Sequence, residues 1–324
     1  MRKTTSVIIR TYTEERWDFL VETIDSVLSQ TYRPDQLILV VDHNPALLER
    51  LQRTFPAAIT VASETRGSSA AFNTGIRQAT GEILAFIDDD AVAEADWLEK
   101  LVAHYADERV AGVGGKIIPN WLAGRPAWFP EEFLWVIGCS YRGLPDTVAP
   151  LRNLIGCNMS LRRSLVEQVG GFTENSGLGH QGKLPLGCEE TELCIRLRQQ
   201  IPGAVLLNEP AAIVHHKVPA SRSQFRYFRA RCSLEGQSKA IISRLLGTQD
   251  GLSAESSYTL KVLPLGVLRG IGEALRGDLS GLQRSGAIVI GLTTTMVSYL
   301  QARFRNVVEQ NRAASVATLE HKVS

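Results

Sequence analysis

Glu82-Ile83-Leu84-Ala85-Phe86-Ile87-Asp88-Asp89-Asp90 is the stretch on which the reading of this chain turns. The apolar run is short and preceded by Gly81, so it reads as a buried strand. It delivers three carboxylates to its C-terminal end, which is where open α/β sheets bind ligands. Like charges crowded there repel one another unless a cation or a donor-rich ligand neutralises them, and an oxygen-seeking divalent ion holding a diphosphate does so. The competing reading is an acidic helix start, with Asp90 as N-cap ahead of Trp97-Leu98.

Outward from this strand the pattern repeats. Ser6 to Tyr12 opens the chain as a strand, and Glu22 to Gln30 follows as an amphipathic helix with Ile24, Val27 and Leu28 on one face. Gln36 to Val41 is a second strand ending in Asp42-His43-Asn44-Pro45, a sequence that also suits a turn. Ile59 to Ala62, a loop from Thr65 to Ala70 and a helix through Ala79 lead back to the Asp88 strand. The alternation predicts an α/β fold with a mainly parallel, doubly wound sheet and right-handed crossovers.

Eight short segments in this order resemble glycosyltransferase family 2. They are Val7 to Tyr12, Ser26 to Tyr32, Val40-Val41-Asp42, Arg66-Gly67 with Asn73-Thr74-Gly75, Asp88-Asp89-Asp90, Gly156 to Ser160, Gly170-Gly171-Phe172 and Glu189 to Leu193. The resemblance covers residues 5 to about 218 and implies a sheet of the nucleotide-diphospho-sugar transferase type. It implies a nucleotide-diphospho-sugar donor, a Mg²⁺ or Mn²⁺ ion and inversion at the anomeric carbon. Thr11, Tyr12 and Asp42 would then meet the nucleotide, Tyr12 with its ring and Asp42 as an acceptor. His43 stands where many members carry a second carboxylate, so the base is left open.

By the same resemblance Asp88 meets ribose and metal and Asp90 is a direct metal ligand, while Asp89 faces solvent or caps the next helix. Arg66 is a donor-side cation or a surface arginine. Asn158 is a sugar contact or a buried structural asparagine. Glu190 occupies the position of the family's general base, usually an aspartate, with Glu189 as helper. Of His215 and His216, one faces outward in an extended segment, and His215 is the expected metal ligand. The aromatic segment Pro119 to Pro150 reads as an acceptor lid or as a self-packed loop, and Gly177 to Lys183 as a flap.

The chain has 324 residues, 44% of them hydrophobic, enough for a large core and an added subdomain. Its five cysteines lack metal-type spacing and suit a reducing compartment. The first strand starts within a few residues of Met1, without a signal peptide, so a cytoplasmic location is expected. Net charge is uneven: from residue 219 onward there are 14 Lys+Arg against 7 Asp+Glu. Residues 1–218 are expected as the catalytic domain, 219–305 as a basic, amphipathic helical extension and 306–324 as a flexible tail. Ala287 to Leu300 is too short to span a bilayer, which takes roughly 20 residues, but arginines flank it and it can lie in an interface. That suggests an anionic membrane surface at the inner face, or packing on protein, a homo-oligomer included; no nucleic-acid motif accompanies the arginines.

The expected function is therefore a metal-dependent, inverting transfer of sugar to an acceptor hydroxyl in polysaccharide, glycolipid or natural-product synthesis. The alternatives are a non-catalytic nucleotide-sugar-binding or scaffold protein on the same fold, and a nucleotidyltransferase. The last would need a glycine-rich, lysine-bearing loop where Thr11 to Arg16 stands.

Overall fold

The computed structural model describes residues 2–323 except 175, 179, 182–183 and 252–256. The central sheet has nine strands: β1 (Thr5–Thr11), β2 (Gln36–Val41), β3 (Ile59–Ala62), β4 (Ile83–Asp88), β5 (Ala91–Ala93), β6 (Val110–Trp121), β7 (Ala149–Pro150), β8 (Asn158–Arg162) and β11 (Val205–Val218). A separate small ladder joins β9 (His180–Gln181) to β10 (Leu184–Pro185). Gly179, Gly182 and Lys183 of the expected flap lie outside the described residues, as do the side chains of the expected tail, 306–324.

The main order is β3-β2-β1-β4-β8-β6-β11-β5, with β7 on the side of β11. β3, β2, β1 and β4 pair in parallel, as the alternation requires. Beyond β4 the sheet is mixed, because β8 enters antiparallel to both β4 and β6, and β5 runs antiparallel to β11. β8 starts only at Asn158, because the chain turns just before it, where Asn158 N donates to Ile155 O at 3.0 Å.

Period-2 alternation sends β1 residues Val7 and Ile9 into one core and Ile8 into the other. On the first face pack α1 (Trp17–Leu28), α2 (Pro45–Thr54) and α4 (Trp97–Ala103), through Leu20, Ile24, Leu47, Leu51 and Trp97. On the second pack α3 (Ser68–Gln78), α5 (Arg163–Gln168) and α6 (Glu189–Gln200), through Phe72, Ile76, Val166, Leu193 and Leu197. Phe72, Phe86 and Phe172 close this core, Phe72 stacked on Phe172 at 4.7 Å and meeting Phe86 edge-on at 5.3 Å. Leu28 sits in the last turn of α1 and is half exposed, unlike Ile24 and Val27.

After β11 come α7 (Phe225–Leu246), a helix Leu263–Leu275 and a long helix Ser280–Val323. Phe129, Phe133, Phe228, Leu263, Ala287 and Ile288 join the core of the sheet's first face, so the C-terminal helices and the aromatic segment share one interior with it. α7 and the long helix touch backbone to backbone: a Cβ on Gly236 would lie 2.2 Å from Thr295 O. Among the described residues no helix is long and apolar enough to cross a membrane.

Candidate active site

The C-terminal ends of β1, β2 and β4 open into a cleft of about 940 Å³. Thr11, Tyr12, Asp42, Arg66, Asp88, Asp89, Asp90, Glu189 and Glu190 all line it. They reach it for a common reason: parallel strands end on the same edge, and the acidic first turn of α6 abuts that edge. Tyr12 is 56% exposed, with the Arg16 guanidinium over its ring at 5.6 Å. Asp42 accepts from Gly67 N at 3.1 Å, which pins the loop ahead of α3. His43 takes the left-handed conformation (φ 50°) and turns Nδ1 to Asp42 at 2.7 Å.

The three aspartates differ in environment. Asp88 lies 3.7 Å from Arg10. Asp89 is buried rather than facing solvent: it accepts from Thr11 Oγ1 at 2.7 Å and from Arg16 at 3.1 Å. Burial, and then Asp90 beside it, push its carboxyl up to about 6. Asp90 lies 3.1 Å from both His216 and Arg16, and 3.7 Å from Arg222. Burial would raise its carboxyl, but His216 and the two arginines override it and hold Asp90 well below the usual range. His216 is correspondingly raised to about 10, Asp90 outweighing the opposite effect of burial.

The Asp88 carboxylate, Cys157 thiol and His216 imidazole lie within 4.8 Å of one another. Burial holds the Cys157 thiol well above its ordinary value, and a thiol is a soft donor that oxygen-seeking Mn²⁺ and Mg²⁺ do not favour. The Asp88 carboxylate and the His216 imidazole of this cluster, with the Asp90 carboxylate 3.1 Å from His216, fit a Mn²⁺ or Mg²⁺ ion by chemistry.

His215 does not reach this cluster. It is 40% exposed and pairs with Glu94 at 3.1 Å, whereas His216, next along β11, is buried in the cleft wall. The expectation for His215 is corrected by a β-bulge: β11 pairs Glu209 with Gly115 and then Ile213 with Lys116, so three residues loop out and reset which side chains face inward. Asn158 is corrected as well. It is fully buried, accepts from Trp97 Nε1 at 2.7 Å, and donates to Ala212 O and Lys116 O at 2.9 and 3.0 Å. It therefore clamps the bulge and does not line the cleft. Gly115 makes room for this, since a Cβ there would meet Ala212 O at 2.1 Å and the Asn158 amide at 2.3 Å.

At the other side of the cleft, Glu189 is buried with Oε2 unpaired among the described residues and Oε1 3.6 Å from Arg10. Arg10 thus spans Asp88 and Glu189 while stacking on Phe72 at 4.4 Å. Glu190, partly open to the cleft, is pushed up to about 8 by burial and then by Glu189. Arg10, Arg16, His216 and Arg222 are site residues missed from sequence; a charged residue ending the buried run Val7-Ile8-Ile9 was the available signal for Arg10. The aromatic segment divides its work. Trp128, Phe129 and Phe133 pack on Phe228, while Trp135 and Tyr141 line the cleft, Trp135 Nε1 donating to Tyr258 Oη at 3.1 Å.

Residues 6–170 match the model of glycosyl transferase family 2. The chain is 38% identical over 245 residues to a glucosyl-dolichyl phosphate glucuronosyltransferase of Haloferax volcanii, covering 74% of this chain and 77% of that protein. It is 32% identical over 184 residues to a pre-mycofactocin glycosyltransferase of Mycobacterium tuberculosis, covering 55% of this chain and 35% of that one. In fold it is similar to a mannosyltransferase of Pyrobaculum calidifontis solved with GDP-Man and Mn²⁺, with a TM-score of 0.56 at 19% identity over 91% of this chain and 88% of that one. With half of its length inside the family model and three quarters aligned to a named transferase, the chain is a glycosyltransferase and belongs to glycosyltransferase family 2.

Proposed function

We propose that the protein is a metal-dependent, inverting glycosyltransferase that moves a sugar from a nucleotide diphosphate to an acceptor hydroxyl. The observation that carries the reading is the pairing, in one cleft, of an oxygen- and nitrogen-donor cluster with a carboxyl whose proton affinity is tuned to near neutrality. Asp88, Asp90 and His216 would hold the ion, which when bound supplies Lewis-acid neutralisation of the departing diphosphate. Tyr12 and Asp42 flank the nucleotide, with Arg66 on the donor side. Glu190 takes the acceptor's proton as it attacks the anomeric carbon, so one displacement inverts the configuration and no covalent sugar-enzyme intermediate forms. A glutamate poised near 8 suits a base acting at neutral pH better than an ordinary carboxylate does. Arg10 pairs with Glu189 at 3.6 Å, and its charge offsets part of the rise that burial and Glu189 impose on Glu190.

The acceptor side supports a lipid-linked substrate and a peripheral membrane position. The Haloferax relative is named for a glucosyl-dolichyl phosphate. Here the helix Leu263–Leu275 exposes Leu265, Leu268 and Leu275 at 63%, 63% and 85%, with Arg276 just beyond its end, while Arg269 turns in to pair with the buried Glu132. Exposed leucines on one face, with a cation at the helix end, match the surface of an anionic bilayer.

Thermal denaturation against a panel of nucleoside diphosphates and their sugars, with and without Mn²⁺, tests the catalytic reading. A metal-dependent rise in Tm with one nucleotide, lost in Asp90→Ala, is expected. No rise with any donor would favour a non-catalytic scaffold on this fold.

A further inference from the structure

Cys157 sits in the donor cluster of the cleft, yet the transfer proposed above gives it no role. The fold brings it there by register. β4 and β8 run antiparallel with Ile87 opposite Asn158, and one step further the same register sets Asp88 beside Cys157. β11 supplies His216 through its ladder with β5, where it lies opposite Ala91. Asp88, Cys157 and His216 all line the cleft. Behind the imidazole lies a second thiol, the fully buried Cys139, with Sγ 3.7 Å from His216 Nδ1.

Two donor sets therefore share Asp88 and His216. The set completed by Asp90 offers oxygen and nitrogen only, which suits Mn²⁺ or Mg²⁺. The set completed by Cys157 offers one oxygen, one nitrogen and one sulfur, all donor types of Zn²⁺, which binds at three protein ligands with a fourth position open. Its three donor atoms lie within 4.8 Å of one another. Tetrahedral Zn²⁺, with bonds of about 2.0–2.3 Å, holds its ligands about 3.3–3.8 Å apart, so side-chain movements of about 1 Å close the set.

We infer that Asp88, Cys157 and His216 form a site for a thiophilic ion, Zn²⁺ in the first place, which excludes Mn²⁺ by taking two of its ligands. The inference rests on the glycosyltransferase reading and gives that site a metal inhibitor. On binding, an S–Zn bond replaces the S–H bond of Cys157, and the proton passes to solvent. Tighter binding of Zn²⁺ than of Mn²⁺ does not by itself identify the site, because most mixed donor sets show that order. What identifies it is the sulfur.

Absorption of the metal-free full chain titrated with Co²⁺, a coloured stand-in for Zn²⁺, tests the ligand set. A thiolate-to-Co²⁺ charge-transfer band is expected, bleached by one equivalent of Zn²⁺. It should vanish in Cys157→Ser and Cys157→Ala and persist in Cys139→Ser. By calorimetry, Cys157→Ser should weaken Zn²⁺ at least about tenfold and shift Mn²⁺ affinity less than about twofold, the retained Mn²⁺ binding showing that the variant is folded. Raising Mn²⁺ should lower the apparent Zn²⁺ affinity in step, as competition for shared ligands demands. No band in the wild-type chain, or a band that survives in either Cys157 variant, would overturn the thiol assignment. Zn²⁺ affinity indifferent to Mn²⁺ would overturn the shared site. None of these readings involves a nucleotide, so the Mn²⁺-dependent rise in Tm with a donor reports separately on the glycosyltransferase reading.

Discussion

Glu190 sets the expected pH dependence. Its working form is the carboxylate, and its proton is held to about 8, so kcat should rise with pH and level off above that value. Glu190→Gln should lower kcat by about 10²–10⁴-fold, abolish that rising limb and leave Mn²⁺-dependent nucleotide binding intact. The two histidines make a matched pair of variants. His216→Ala should weaken Mn²⁺-dependent nucleotide binding by at least about tenfold, the cost even of losing a ligand's outer partner, whereas His215→Ala, which loses only an exposed contact with Glu94, should change it little. At this scale the acidic residues were legible in the sequence because strand ends and helix starts advertise themselves: Asp42, Asp88, Asp90 and Glu190 all line the cleft. The choice between His215 and His216 was not legible, since strict alternation along β11 breaks at a bulge that no local pattern marks.

Among the elements, the junction of β6, β8 and β11 is held by one side chain. Asn158 satisfies the indole of Trp97 and two carbonyls at the bulge, all buried. Asn158→Ala should therefore lower stability by about 2–4 kcal/mol, read as a fall in the denaturant midpoint at unchanged m. A sugar-contacting asparagine would instead raise KM with the midpoint unmoved. Element order along the first 90 residues was legible because each apolar run is short, has its own period and ends in turn residues. The second half of the sheet was not, because the direction of β8 and the pairing of β5 with β11 depend on partners far away in the chain rather than on local period.

For the whole molecule, the C-terminal helices do two jobs at once: they bury Phe133 and Phe228 in the common core and present leucines outward. Leu265→Glu, Leu268→Glu and Leu275→Glu combined should reduce co-sedimentation with phosphatidylglycerol vesicles by an order of magnitude or more while changing Tm little, since surface substitutions typically shift stability by about 0.5 kcal/mol or less each. An extension of this kind was legible in outline from the charge imbalance beyond residue 219. Its contribution of a cleft wall was not, because Tyr227, Arg231, Glu235 and Lys239 of α7 become cleft residues only once the long C-terminal helix packs beside them. The ladder of β5 with β11 has a kinetic corollary. It pairs Ala91 with His216, and Lys217 N bonds Asp90 O at 2.8 Å, so the carboxylate and the imidazole are joined by strands well over a hundred residues apart. Closing so long a loop carries a larger entropic cost than the pairing of β1 with β2, so this contact is expected to form late. An ion held by Asp90 and His216 thus meets a complete site only on the native side of the folding barrier. Mn²⁺ is therefore expected to slow unfolding and to leave the rate of folding unchanged, which stopped-flow unfolding and refolding with and without the ion checks; it would then act as a lock on the finished structure and not as a template for building it.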